Sequence, residues 1–452
     1  MQALLENLRS VVEDLNCEIA DGPIFPKVTP EEIREHLHRY DFSQPVALDE
    51  LCSDVARMMQ TWHVQVTHPR YFGLFNPSVT FASVVADTMV AMYNPQLATW
   101  RTSPAANEIE HHTLAWLGCK FGFPHNTFSS FTTGGAEANL TAVIVALTRK
   151  FPEYGEAGLR HLDATPAIYV TAEANHSFNK IAHMTGLGRQ ALRVVGTDSD
   201  LRMDVAGLAR QVAEDRKNGF LPVMVVGTAG TTAAGVIDPL PDLASFCRSE
   251  NLWFHADAAW GGAAIISPRL KAHLRGIEDA DSITCDAHKW FSVPMGAGMF
   301  FCRHPEAVAA SFHAETEYMP LETPGSLPNQ YATTAQWSRR FIGLKLFLSL
   351  AERGESGYVE MIEHQAQLGD LLRECLRRTG WRIVNSTPLP VVWFTRDGLD
   401  PAKFVAVLQE RQIAWMSALQ LRGTPALRAC ITSFRTTEAD IESVVREMSR
   451  LL

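Results

Sequence analysis

One short string concentrates groups able to do covalent chemistry. Asp286-Ala-His288-Lys289-Trp290 follows directly on the apolar run Ser282–Cys285. A lysine is ordinarily solvated, but one set against a tryptophan at the end of a buried strand is partly withdrawn from water. Desolvation disfavours the ammonium form and lowers its pKa, which leaves a neutral amine able to attack an aldehyde. Such an amine suits Schiff-base formation with pyridoxal phosphate (PLP). The plainer reading of Lys289 is an exposed loop lysine.

Three further strings supply what a PLP site needs. Trp253–Gly262 reads WFHADAAWGG and ends an apolar run on Asp257. A lone acid there could simply cap a turn. Against a pyridine nitrogen it would keep that nitrogen protonated, so that the ring accepts electron density from a carbanion at the substrate Cα. Gly261 and Gly262 admit a close backbone approach, and Ala258 and Ala259 leave room for the ring. Ser129–Leu140 reads SSFTTGGAEANL, a Gly134-Gly135 turn before a helix. Backbone N–H groups at a helix N-terminus, helped by the Thr133 hydroxyl, form an anion site. The turn has neither the lysine of a Walker loop nor GxGxxG spacing, so a nucleotide site is not indicated. His176, in ANHSFNK, is either an exposed histidine or a flat imidazole that stacks on the open face of the ring.

These residues need elements to hold them. Ala167–Val170, Leu192–Val195, Val223–Val226, Leu252–Phe254, Ser282–Cys285 and Met299–Cys302 each read as a buried strand. Helical patterns such as Ala136–Lys150 and Asp204–Asn218 lie between them, so the centre of the chain is α/β, with a mostly parallel sheet flanked by helices. Ligands on such sheets sit beyond the carboxyl ends of the strands. Before about residue 80 the pattern is helical: residues 4–15, Pro30–Tyr40 and Ala47–His63. Phe312–Gln336, with Pro320, Pro324, Gly325 and Pro328, reads as a long loop of the kind that often carries function. The tail alternates helix, strand (Val391–Phe394), helix (Lys403–Gln412), strand (Leu427–Thr432) and helix (Ala439–Leu451). Three regions follow: a helical segment 1–80, a large domain 81–350 and a small α/β domain 351–452.

Composition sets the outer bounds. The 452 residues are 46% hydrophobic and 20% charged, an ordinary globular balance. A formal charge of −10 speaks against a general nucleic-acid partner. The 8 cysteines have no CxxC spacing, which disfavours a disulfide scaffold and a zinc ribbon and favours a reducing cytoplasm. His111 and His112 are adjacent, hence on different helix faces, and no HExxH occurs, so no metal site is expected. The start MQALLENLRSVVEDLN lacks the basic, then apolar, build of a signal peptide, and no run approaches the ~20 apolar residues of a membrane span.

Taken in order, the motifs resemble the group II PLP-dependent amino-acid decarboxylases, which include aromatic L-amino-acid, histidine, glutamate and diaminobutyrate decarboxylases. The resemblance runs from about Leu51 to the C-terminus. It is carried by TTGGAEANL, AEANHSFNK, TAGTTAAGVIDP, WFHADAAWGG and DAHKW, with HPRYFG at His68, TSPAANEIE at Thr102 and RRFIGLK at Arg339. It implies the fold type I PLP-dependent transferase architecture and a cytoplasmic homodimer with interface active sites, the 1–80 segment packing on the partner subunit. Lys289 is implied as the aldimine lysine, Asp257 as the pyridinium partner and His176 as the stacking ring. Thr133, Gly134, Gly135, Thr232, Asp286 and His288 complete the cofactor site. Tyr318, in the proline-rich loop, is implied as the proton donor to Cα after loss of CO2 through a quinonoid.

The substrate positions depart from the aromatic branch of the family. Phe75, Asn76, Pro77, Gln96 and Ala98, with Val66 and Leu74, include one aromatic residue, which indicates an L-amino acid smaller or more polar than a catechol or indole one. Two other fates for the carbanion share the fold and cofactor: oxidative deamination by O2, and β-elimination from a substituted amino acid such as an S-substituted cysteine. Retention of both Tyr318 and His176 favours simple decarboxylation. A third alternative, a non-catalytic PLP-fold binding protein, is disfavoured by Lys289, Asp257 and His176 standing together.

Overall fold

The structure is a computed structural model of the chain. It describes residues 19, 22–76, 78–314, 316, 319, 324–421 and 423–452. The chain divides into two compact units.

The larger unit, Val79–Ala366 with Asn385–Val391, holds a seven-stranded sheet. Its strands are β1 (Phe128–Thr132), β2 (Thr165–Thr171), β3 (Leu192–Val195), β4 (Phe220–Thr228), β5 (Trp253–Asp257), β6 (Ser282–Asp286) and β7 (Gly298–Cys302), in the spatial order β1-β7-β6-β5-β4-β2-β3. Only β7 runs antiparallel to its neighbours. β1 and β6 both oppose β7 and so point the same way, as do β2 to β6. The carboxyl ends of six strands therefore share one edge.

Every apolar run expected as a strand is one. β1 was not expected, because its sequence FSSFT is too polar to read as a core strand. It lies at the sheet edge and pairs with β7 alone, which is where a strand tolerates serines. Beside it, the Gly135–Lys150 helix presents Ala138, Ala142 and Ala146 to the sheet. These small residues let the helix lie close, with Ile168, Val170, Val226 and Phe300 filling the layer between. Full burial of each such large side chain contributes roughly 1.5–3 kcal/mol.

The smaller unit comprises Gln367–Val384, Val392–Leu452 and the described part of the first 78 residues. Its sheet runs β10-β11-β9-β8, with β8 Arg382–Ile383, β9 Val391–Thr395, β10 Ser417–Leu421 and β11 Thr424–Cys430. Leu368, Leu372 and Leu376, spaced by one helical turn, pack on Val392, Phe394, Leu427 and Ala429. Thr437 and Asp440 form a reciprocal capping box that starts the Glu438–Arg450 helix.

The three regions expected from the sequence are thus two in the structure. Residues 22–76 group with the C-terminal region because their end is stitched into its sheet. Phe72 N–H donates to the Trp415 carbonyl at 3.0 Å, Trp415 N–H to that of Arg70 at 3.1 Å, and Cys430 N–H to that of Phe72 at 3.0 Å. The expected boundary at 350/351 moves to 366/367, inside the Leu344–Arg378 helix, which bends at Gly354 where φ is 67°. The N-terminal helix expected over residues 4–15 lies outside the described residues. Among the described residues no helix is long and apolar enough to cross a membrane.

Candidate active site

The shared carboxyl edge of the larger sheet collects the expected site residues from separate strands. Thr133–Gly135 follow β1, His176 follows β2, Thr231 and Thr232 follow β4, Asp257 closes β5, and Asp286 to Lys289 follow β6. β6, β5 and β4 are adjacent, so Lys289 and Asp257 leave neighbouring strands.

Asp257 is 4% exposed and sits in register with Thr228 and Thr284 on the flanking strands. Its Oδ2 accepts from the Asn139 side-chain N–H2 at 3.0 Å and its Oδ1 from the Ala259 backbone N–H at 3.2 Å. Among the described residues it forms no ion pair. A buried carboxylate held only by neutral donors is expensive to keep ionised, and a protonated pyridine nitrogen is the cation that would complete it. This end of the site fits PLP.

Lys289 Nζ lies 2.9 Å from Asp286 Oδ2, and its side chain is 22% exposed. Burial pulls the ammonium pKa down, as expected from the sequence. Asp286, through its charge and its hydrogen bond, together with Asp257 and Cys285, raises it by more in sum, so the net direction is upward. The amine is thus held in its charged form by Asp286 before it meets an aldehyde. Trp290 is fully buried, stacked on Trp260 with ring centroids 5.2 Å apart, and donates its ring N–H to Gln365. That packing anchors the backbone from which Lys289 projects.

A turn able to receive a phosphate lies where Gly134 and Gly135 open the Gly135–Lys150 helix, whose first N–H groups have no acceptor within the helix. A Cβ on Gly135 would come within 2.9 Å of Asp286 Oδ2, and one on Gly298 would overlap Thr132 and Gly134. Glycine at both positions lets backbone and carboxylate converge. His288 Nδ1 accepts from Ala297 N–H at 3.1 Å, so its Nε2 carries the proton, and it stands 3.7 Å from Asp286 Oδ2. Burial lowers the His288 pKa and keeps the ring neutral. Among the described residues the buried Asp286 Oδ1 has no hydrogen-bond partner.

Thr133 is placed differently from the simplest expectation. Its N–H and hydroxyl both donate to Glu137 Oε2, at 2.8 and 2.6 Å, and Gln336 donates to the same carboxylate at 2.7 and 2.9 Å. The Thr231 hydroxyl accepts from Val236 N–H inside its turn, and Thr232 is exposed. His176 is exposed at the start of the Ser177–Met184 helix, which follows β2 at the carboxyl edge of the sheet. Gly261 and Gly262 are close-approach positions: a Cβ on Gly261 would overlap the Ala229 carbonyl oxygen, and one on Gly262 would lie 2.7 Å from Cys285 Sγ.

The substrate candidates divide between the units. Gln96 and Ala98 belong to the larger one, where Gln96 donates to the Ser338 hydroxyl at 2.9 Å and Ala98 is fully buried. Phe75 and Asn76 belong to the smaller one. There the Arg428 guanidinium lies 4.8 Å over the Phe75 ring, and Asn76 Oδ1 accepts from the Tyr71 hydroxyl at 3.2 Å. Pro77 and Tyr318 lie outside the described residues.

Asn139, His255, Ser282 and Glu137 were given no role from sequence. Their signal was there for part of the set. Trp253, His255 and Asp257 are two apart on one strand and so share a face, and Asn139 falls within TTGGAEANL.

The pyridoxal-dependent decarboxylase conserved domain matches residues 30–396. An aromatic-L-amino-acid decarboxylase of Bacillus atrophaeus is 29% identical over 400 residues, covering 85% of this chain and 82% of the relative. An L-2,4-diaminobutyrate decarboxylase of Acinetobacter baumannii is 31% identical over 330 residues, covering 70% of this chain and 64% of the relative. Among solved structures, Oryza sativa TDC with PLP and tryptamine matches with a TM-score of 0.94 at 21% identity, over 100% of this chain and 97% of that one; this likeness shows the shared fold type I architecture. A family match over most of the chain, on a fold whose carboxyl edge brings together an amine, a buried acid and a glycine turn, places the chain in the pyridoxal-dependent decarboxylase family, as a PLP-dependent amino-acid decarboxylase.

Proposed function

We propose that this enzyme decarboxylates a small or polar L-amino acid, working as a cytoplasmic homodimer. The observation that carries the substrate class is the state of Phe75. It is the single aromatic residue among the candidate pocket positions, and a face of its ring is covered by Arg428 at 4.8 Å. A ring face engaged with a guanidinium is not offered to an aromatic substrate. The Acinetobacter relative, named for a short diamino acid, is in keeping with this reading.

PLP, when bound, supplies an aldehyde that captures the substrate amine and a ring that takes up the electron pair left when CO2 departs. The chain's own residues do the rest. Lys289 would hold the cofactor through its amine, and Asp286, 2.9 Å from Nζ, would hold that amine when it is free. Asp257 holds a proton at the pyridine nitrogen. The Gly134-Gly135 turn and His288 Nε2–H would hold the phosphate, and His176 would cover the ring. Tyr318 would donate the proton to Cα.

The dimer reading rests on the Phe81–Tyr93 helix. Phe81, Val85, Met89, Met92 and Tyr93 are exposed on it, Met92 and Tyr93 by 79% and 80%. A stripe of this kind is what an interface with a second copy would cover. The N-terminal 1–80 segment would add to that interface. Light scattering of the purified protein should give twice the mass of one chain.

The test of function is mass spectrometry of products from a panel of amino acids, with and without oxygen. The expected result is an amine from a short aliphatic or acidic substrate, formed equally in both conditions. Faster turnover of L-DOPA or L-tryptophan than of every such substrate would overturn the substrate class. Aldehyde and peroxide as main products would overturn the assigned fate of the carbanion.

A further inference from the structure

A chain of four side chains runs from the core to the back of Asp257. Trp253 Nε1–H donates to Ser282 Oγ at 2.8 Å, Ser282 Oγ lies 2.8 Å from His255 Nδ1, His255 Nε2 lies 3.0 Å from Asn139 Oδ1, and Asn139 Nδ2 lies 3.0 Å from Asp257 Oδ2. The backbone sets it up. Trp253, His255 and Asp257 share one face of β5, Ser282 is the cross-strand partner of His255, and Asn139 enters from the Gly135–Lys150 helix. Trp253 is 6% exposed, Asn139 1%, and His255 and Ser282 0%.

The polarity of the chain follows from its ends. A carboxylate only accepts, so Asn139 must turn its N–H2 to Asp257 and its carbonyl to His255. His255 must therefore carry its proton on Nε2. Its Nδ1 is then bare and must accept, so the Ser282 hydroxyl donates to it while accepting from the indole, which can only donate. We propose that His255, locked by Ser282 in the Nε2–H tautomer, is a positioning residue: acting through Asn139, it fixes Asp257 as an ionised acceptor for the pyridine nitrogen.

The physical reason lies in the amide. An Asn side chain turned by 180° fills the same space, so packing alone does not choose its orientation. A turned Asn139 would set its carbonyl against the Asp257 carboxylate. The repulsion would favour a protonated Asp257, which could no longer hold a pyridinium. His255 Nε2–H blocks this, because the turned amide would bring N–H2 against N–H. The imidazole must stay neutral to keep the polarity, and its burial does so, lowering its pKa to about 4. The groups around it are Asp257 on its own strand and the Ser282 backbone, which both act the other way, Asn139, and the edge-on ring of Phe178 from the Ser177–Met184 helix at 6.4 Å.

This inference rests on the reading that Asp257 faces PLP, and its test separates the two. The holoenzyme and variants His255→Gln, His255→Leu and Ser282→Ala are compared by PLP titration of the apoprotein, by the pH dependence of the bound cofactor's visible absorbance, and by kcat against KM. Glutamine can accept from Ser282 and donate to Asn139 without titrating, so it should keep PLP affinity and pH profile within about threefold of wild type. Leucine breaks the chain and should weaken PLP binding about tenfold or more, which corresponds to about 1.4 kcal/mol, shift the pH profile, and lower kcat with little change in KM. Ser282→Ala, a small change that preserves packing, should shift the same profile in the same direction by less. Leucine and alanine variants with wild-type affinity and profile would overturn the proposal, as would a glutamine variant as defective as leucine. If Asp257→Ala leaves PLP affinity and absorbance unchanged in the otherwise wild-type protein, it is the placement of the ring at Asp257 that fails.

Discussion

At the residue scale, the site sets two opposed electrostatic demands on adjacent strands. Lys289 begins as an ammonium beside Asp286 and must lose that proton before it can attack an aldehyde. Asp257 must remain a carboxylate although the hydrogen-bond donors that hold it are neutral. Lys289→Ala should abolish turnover and leave PLP weakly held, as measured by dialysis against phosphate. Asp257→Asn keeps the shape and removes the charge, so the pyridine nitrogen loses its ionic partner. Turnover should fall by about 10³-fold or more, in line with removal of a buried electrostatic stabiliser worth several kcal/mol, while folding is retained by circular dichroism. Tyr318→Phe should lower amine yield and raise aldehyde and peroxide. An unchanged product ratio would remove Tyr318 from the proton-transfer role.

The elements show where sequence reading reaches and where it stops. The six apolar runs, and the acid and amine at their ends, could be read because burial on both faces of a parallel strand demands continuous Val, Ile, Leu and Phe. β1 could not, since an edge strand has no such demand. The hydrogen-bond chain behind Asp257 was legible only in outline: alternation put Trp253, His255 and Asp257 on one face, but no local signal says that Ser282 lies opposite His255 or that Asn139 arrives from a helix more than a hundred residues away. Long-range pairing also hid the role of Arg339, quoted within RRFIGLK. It forms a buried ion pair with Glu110, 1% and 2% exposed, while Glu110 Oε1 accepts from Gly343 N–H at 2.8 Å and the guanidinium donates to the Phe131 carbonyl at 3.3 Å. This ties β1 and the Pro104–Lys120 helix to the segment leading into the Leu344–Arg378 helix. Arg339→Leu strands the Glu110 charge and should cost about 3–5 kcal/mol in urea unfolding, whereas Arg339→Leu with Glu110→Leu should recover most of it.

For the whole molecule, buried titratable groups predict how stability follows pH. His255 has a native pKa near 4 against an ordinary value of 6.5, because burial disfavours the imidazolium. As pH falls from 6.5 to 4 the unfolded chain gains a proton there that the native chain refuses, so stability drops, by about 3 kcal/mol in all from this group. Asp238, pushed up to about 6 by burial, acts oppositely: between 6 and 3.8 the native chain holds the proton more tightly, and stability gains as pH falls. The two partly cancel, so the net profile of the wild type is uninformative. The difference between wild type and His255→Gln isolates one group. Denaturant unfolding at pH 7 and pH 4.5 should show a smaller acid loss in the variant, and an equal loss would mean that His255 is protonated in the native protein.

The account depends on which amine the cofactor occupies. Holoenzyme reduced with borohydride, digested and mapped by mass spectrometry should carry a single phosphopyridoxyl group, on the peptide containing Lys289. A modified peptide from elsewhere in the chain, or a protein that takes up PLP and yields no reduced adduct at Lys289, would contradict it.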